Sequence, residues 1–152
     1  MEIIDYFTVE NSRFWLDEIK KCDWSAARLL SKMLANNTFE KILGYGTLYL
    51  LIDNAHLLSF GTLTQRDCIE DDDMYPWIGF IFTRPQYRGH RYSQKLINKM
   101  LSDATKQGYS CVYLASEHIG LYEKYGFTYL ESRIDIWGDN NRIYFMDLPQ
   151  FF

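Results

Sequence analysis

Seven consecutive residues, Tyr87-Arg88-Gly89-His90-Arg91-Tyr92-Ser93, bring two guanidinium groups, an imidazole, a glycine and a hydroxyl into one short stretch. That mixture suits an anion. Directly after it, Tyr92, Leu96, Ile97, Met100, Leu101 and Ala104 recur on one helical face, which predicts an amphipathic helix starting at the stretch. A helix start leaves backbone N–H groups unpaired and carries partial positive charge, so a phosphate fits there. Gly89 lets the backbone come close to a ligand, while Arg88, Arg91 and His90 supply charge. Ser93 can cap the helix or donate to a phosphate oxygen.

Other chemistries find no pattern. The three histidines and three cysteines lack metal-ligand spacing, and neither a Ser-His-Asp order nor a Walker sequence is present. Cys22, Cys68 and Cys111 form no CxxC pair, and their odd number argues against a disulfide framework.

The basic stretch needs elements to hold it. Trp77 to Thr83 is a continuous apolar and β-branched run closed by Pro85, which predicts a buried strand leading into the turn. Earlier, Met1 to Val9 is an edge strand or extended arm, and Asn11 to Cys22 has helical spacing. Asp23 is the expected N-cap of a second helix that ends at Asn36-Asn37. Tyr45 to Ile52 and Ala55 to Thr64 are expected strands joined at Asp53-Asn54. A polar connection, Gln65 to Asp73, follows. After the long helix and Gly108 come a strand from Ser110 to Ser116 and a short helix from His118 to Tyr125. Two late strands, Phe127 to Trp137 and Arg142 to Leu148, are joined by Gly138 to Asn141.

The bulk numbers fit one folded α+β domain spanning residues 1–152, with 47% hydrophobic and 24% charged residues. A net charge of −4 argues against a broad nucleic-acid surface and is compatible with a cationic acceptor. The start, MEIIDYFTVE, has neither the basic nor the apolar region of a signal peptide, and no apolar run is long enough for a membrane span. The cytoplasm is the expected compartment, with no membrane partner.

Two motifs carry a family resemblance. Arg88 to Ser93 resembles the pyrophosphate-binding pattern Gln/Arg-x-x-Gly-x-Gly/Ala of the GNAT family, the acyl-CoA-dependent N-acyltransferases. Arg91 and Ser93 stand where that pattern usually has glycine and glycine or alanine. Downstream, Leu121-Tyr122-Glu123-Lys124-Tyr125-Gly126-Phe127 is similar to the family's Leu-Tyr-x-Lys-x-Gly-Phe. The resemblance is sharp from Trp77 to Phe127 and architectural outside it.

It implies a mixed, mostly antiparallel sheet splayed between its fourth and fifth strands, with acetyl-CoA as co-substrate in the splay. Ile81, Phe82 and Thr83 would then offer main chain to the pantetheine arm, and Arg88, Gly89, His90, Arg91, Tyr92 and Ser93 would surround the pyrophosphate. Tyr122 matches the tyrosine commonly assigned as general acid towards the CoA thiolate; its other reading is a packed core aromatic. The family's asparagine seven residues before that tyrosine is replaced by Ala115.

An alkyl amine, with a pKa near about 10, is protonated at neutral pH, so a base or a water path is expected. The central strand Trp77 to Thr83 carries no carboxylate. Glu117, His118, an acidic residue near Asp73, or water are the candidates. The expected function is acetyl transfer from acetyl-CoA to a small-molecule or peptide amine by direct attack, since no cysteine falls in either motif. The rivals are a non-catalytic acyl-CoA-binding module and an interaction protein presenting an aromatic surface. The late strands are compatible with a homodimer.

Overall fold

The computed structural model describes residues 1–150. Seven strands form one mixed sheet in the order β1-β2-β3-β4-β5-β7-β6. β1 (Glu2–Asp5), β2 (Gly46–Asp53), β3 (His56–Thr64) and β4 (Trp77–Thr83) pair antiparallel in succession. β5 (Cys111–Ser116) runs parallel to β4, and β7 (Asn140–Asp147) lies between β5 and β6 (Thr128–Ile134), antiparallel to both.

Each face of the sheet is covered by helices whose apolar residues recur at helical spacing. On one face, α1 (Ser12–Lys20), α2 (Ser25–Ala35) and α3 (Phe39–Leu43) bury Trp15, Ile19, Leu30, Met33 and Phe39 against Leu48, Leu50 and Phe60. On the other, α4 (Tyr92–Lys106) buries Leu96, Ile97, Met100 and Ala104 against Tyr49, Leu51 and Ile78. Each large apolar side chain removed from water there contributes about 1.5–3 kcal/mol. The Tyr49 hydroxyl also donates to Asp103 of α4 at 2.8 Å, tying the helix to β2. α4 ends where Gly108 takes a left-handed φ of +87° and the Tyr109 N–H reaches back to the Ala104 carbonyl at 3.1 Å.

The mixed sheet appears as the family resemblance implied, with differences from the sequence reading at several boundaries. Trp24, not Asp23, occupies the cap position of α2, in extended geometry (φ −155°, ψ 130°). Trp24 stacks on Phe82, with centroids 5.2 Å apart, and Asp23 turns outward to Arg28 at 3.5 Å. The β2–β3 turn is Asn54-Ala55, because Asp53 and His56 still pair and Asn54 takes the left-handed conformation. The last connection falls earlier than Gly138 to Asn141. Asp135 Oδ1 accepts from the N–H groups of Trp137 and Asp139, each at 2.9 Å, so Asn140 and Asn141 are already in β7. α5 is only Leu121–Lys124, since Gly120 before it has φ +92°.

Candidate functional site

The sheet opens at its centre. β4 and β5 pair only at Trp77↔Tyr113 and Ile78↔Leu114; beyond Ile78, β4 has no partner on that side. Phe80 sits at the divergence in a left-handed conformation (φ +51°), and the β3–β4 register shifts between Phe60 and Thr62. This is a bulge with one extra residue on β4, and it re-aims the following backbone. A bulky residue held at positive φ is a strained conformation that the surroundings must enforce. Phe80 itself packs, partly buried, against the core beneath α1 to α3.

Ile81, Phe82 and Thr83 therefore line the open side of β4. The Phe82 carbonyl accepts from Ser59 Oγ at 2.7 Å and the Thr83 carbonyl from Arg88 Nε at 3.1 Å. Among the described residues, the Ile81 carbonyl receives no side-chain donor. Arg84 anchors the end of the strand to α1, donating to the Glu18 carbonyl at 2.8 Å and pairing with its carboxylate at 3.6 Å.

The basic turn stands at the mouth of this opening. After a 3-10 turn at Pro85–Tyr87, Gly89 adopts φ +88° with nothing within 4 Å of the space a side chain would fill. The glycine is needed for its left-handed backbone, with open space beside it. Arg91 caps α4, also left-handed (φ +58°, ψ 34°). That explains why glycine is usual at this point of the motif: the chain turns there as glycine turns most easily. Ser93 is already inside the helix and does not cap it; its hydroxyl lies 3.4 Å from that of Tyr125. The His90 ring is tilted over Tyr92 at 5.4 Å.

Thr83, Tyr87, Arg88, Gly89, Arg91, Tyr92, Ser93 and Tyr125 enclose a concavity of about 250 Å³. It unites Arg88 and Arg91, though not His90, with the second motif, through Tyr125. A larger concavity of about 600 Å³, between β1, α2, α3 and the start of β2, shares no lining residue with it.

Tyr122 is the second residue of α5 and is 7% exposed. Its ring contacts Tyr125, Phe127 and Tyr144 at 6.1, 6.2 and 5.9 Å between centroids. Burial pushes its phenol up to about 12, with Tyr125 adding to the effect and Ser116 opposing it. The residue is thus a packed aromatic whose phenol is neutral at pH 7. The segment before α5 is fixed from β7. Tyr144 donates to the His118 carbonyl at 2.6 Å and accepts from Arg142 Nε at 2.8 Å.

Glu117 and His118 are exposed beyond the end of β5. Asp71 pairs with Arg133 at 2.7 Å, which holds its carboxyl below the usual range. Sequence reasoning missed Asp67. From the β3–β4 connection it folds over Gly79, and any side chain on Gly79 would collide with its carboxylate. Gly79 is the signal that was available: a lone glycine within an apolar strand often marks a close approach. Cys22, Cys68 and Cys111 are free, and no group of three or more metal-ligating side chains gathers among the described residues.

A family model described as an acetyltransferase (GNAT) domain matches residues 30–130. No curated protein sequence matches the chain. Among solved structures, an acetyltransferase from Streptococcus agalactiae superposes with a TM-score of 0.67 at 20% identity, covering 97% of this chain and 98% of the other. An aminoglycoside 6'-N-acetyltransferase complexed with coenzyme A gives 0.70 at 12% identity, covering 100% of both. A GNAT acetyltransferase from Elizabethkingia anophelis with acetyl-CoA bound gives 0.58 at 19%, covering 76% and 87%. At these identities the likeness is one of fold.

Proposed function

The chain belongs to the GNAT acetyltransferase family, and from that premise we propose that it transfers the acetyl group of acetyl-CoA to a primary amine by direct attack. The observation that carries the reading is the divergence of β4 from β5 beyond Ile78, with Thr83 at the end of β4 sharing one concavity with the left-handed basic turn. A diphosphate suits that turn: two arginines and the first N–H groups of α4 border one concavity. The gap beyond Ile78 then gives an extended arm a route along Ile81 to Thr83 towards the middle of the sheet. That two fold neighbours were solved with coenzyme A or acetyl-CoA supports the same donor here.

The thioester supplies an activated acyl carbon; the chain's task is to place it and manage protons. Tyr122 suits the leaving sulfur. Its phenol is a weak donor, so it hydrogen-bonds the sulfur and yields its proton as the C–S bond breaks. No cysteine lines the concavity at the turn, in keeping with attack by the amine itself. A small-molecule acceptor is the preferred class, given a neighbour that acts on aminoglycosides and a net charge of −4. The three free thiols and the donor together favour the cytoplasm.

Calorimetry with acetyl-CoA, followed by release of free CoA thiol with alkyl polyamines, amino sugars and lysine peptides, tests the reading. Binding with amine-dependent thiol release is expected. Binding without turnover for any amine would leave a non-catalytic acyl-CoA-binding module, and absence of binding would remove the reading.

A further inference from the structure

The β3–β4 connection brings a carboxylate to the strand that lacks one. Asp67 is partly exposed as a residue, yet its Oδ1 is sealed from solvent and has no hydrogen-bond partner. Its other oxygen accepts from the Cys68 N–H at 2.9 Å, which orients the group. A second buried polar atom without a partner, Thr62 Oγ1, belongs to the residue directly opposite Gly79 in the β3–β4 register. Opposite residues share a face, so Thr62 projects on the side where the Gly79 side chain would stand and Asp67 stands instead. That face is turned away from α4, because Ile78, next along β4, packs into the α4 cluster. Buried polar atoms are normally paired, so two orphans on one face call for a hydrogen-bonding ligand.

We infer that Asp67 is the general base of the transfer, its Oδ1 and the Thr62 hydroxyl receiving the acceptor's ammonium beside Gly79, at the start of the β4–β5 opening. The assignment rests on the acetyltransferase reading. Two protons leave the nitrogen. The first passes from the ammonium to Asp67, which releases it only after the product has left, and this frees the lone pair to form the N–C bond. The second leaves the tetrahedral adduct and replaces the proton that Tyr122 gives to the departing sulfur. The products are an amide, free CoA thiol and one proton.

The electrostatics agree. Burial raises the Asp67 carboxyl to about 6, partly offset by its bonds to Cys68, which suits a base acting near neutrality. The titratable groups nearest to it are the Cys68 thiol, which burial keeps neutral, and Asp135 beyond that thiol. No cation among the described residues pairs with Asp67.

The test compares wild type and Asp67→Asn with two probes, a simple alkyl amine and a fluorinated ethylamine that is already neutral at pH 7. For the alkyl amine, wild-type kcat/KM should rise with pH through an inflection near the Asp67 value. Asp67→Asn should lose about 10²–10⁴-fold and that inflection, with acetyl-CoA affinity unchanged. For the fluorinated amine the same substitution should cost less than about tenfold, because no ammonium proton has to be removed. Equal losses for both amines, or an unmoved pH profile, would overturn the assignment while leaving the acetyltransferase reading intact. A wild type that binds acetyl-CoA and turns over neither these two amines nor any of the polyamines, amino sugars and lysine peptides would overturn both.

Discussion

The carboxylate of Asp67 fills the space that a side chain on Gly79 would need, so a loop residue takes the place of a strand residue. Gly79→Ala must therefore displace either the carboxylate or the strand. Overpacking of this kind costs about 1–3 kcal/mol, and a lower midpoint in urea should report it. Activity should fall further than stability if Asp67 is the base, since a shift of about 1 Å in a catalytic group can cost about 10²-fold. Moving the acid onto the strand tests the same geometry. Asp67→Ala with Gly79→Asp should recover part of the turnover that Asp67→Ala alone loses.

The legible part of this relationship was the strand, not the acid. Trp77 to Thr83 announces itself as a continuous apolar run closed by Pro85, and the helix from Tyr92 as a long periodic run bounded by Gly108. α3, at Phe39–Leu43, is too short to show a period and was not foreseen. The Phe80 bulge has no sequence mark, because phenylalanine is an ordinary strand residue and its left-handed backbone shows only in the fold. The acid was hidden for a similar reason. Asp67 lies in a polar connection, and its approach to Gly79 depends on anchors far away in sequence. The Ile136 N–H donates to the Cys68 carbonyl at 2.9 Å, and Arg66 reaches the α3 carbonyls at 3.3 Å.

Burial of Asp67 also has a consequence for stability. Its carboxyl titrates at about 3.8 when unperturbed and at about 6 in the fold. The unfolded chain therefore releases this proton first as pH rises. Stability from this group is fully present below about pH 4 and is lost progressively up to about pH 6, after which the charged form remains buried at its full cost. Asp67→Asn removes that slope. At pH 7 the variant should be more stable by about 1–2 kcal/mol, less than the shift alone implies, because the amide oxygen is left without a partner as well. Urea unfolding of both proteins at pH 4 and pH 7 checks this. Equal differences at the two pH values would mean that the carboxyl is not shifted.

Arg91 separates conformation from charge. Its left-handed backbone costs about 1 kcal/mol relative to glycine, offset in part by the greater freedom that glycine has in the unfolded chain. Arg91→Gly should leave stability unchanged or raise it by about 0.5 kcal/mol, while acetyl-CoA affinity falls through loss of the guanidinium. Arg91→Ala keeps the strained backbone, so it should lose affinity without the gain in stability. Calorimetry paired with thermal melts distinguishes the two. If Arg91→Gly bound acetyl-CoA as tightly as wild type, the side chain would have no part in holding the phosphates.

Tyr122 is packed among three aromatic rings, so removing only its hydroxyl leaves the packing intact. Tyr122→Phe should melt within a degree or two of wild type and bind acetyl-CoA normally. If the phenol protonates the departing sulfur, kcat should fall by about 10²-fold with KM little changed, the pattern of an interaction made only in the transition state. A donor analogue with a more acidic thiol provides the sharper comparison. Its sulfur needs no proton to leave, so the gap between Tyr122→Phe and wild type should narrow with that donor. A gap of the same size with both donors would assign the hydroxyl to some step other than leaving-group departure, even though turnover had fallen.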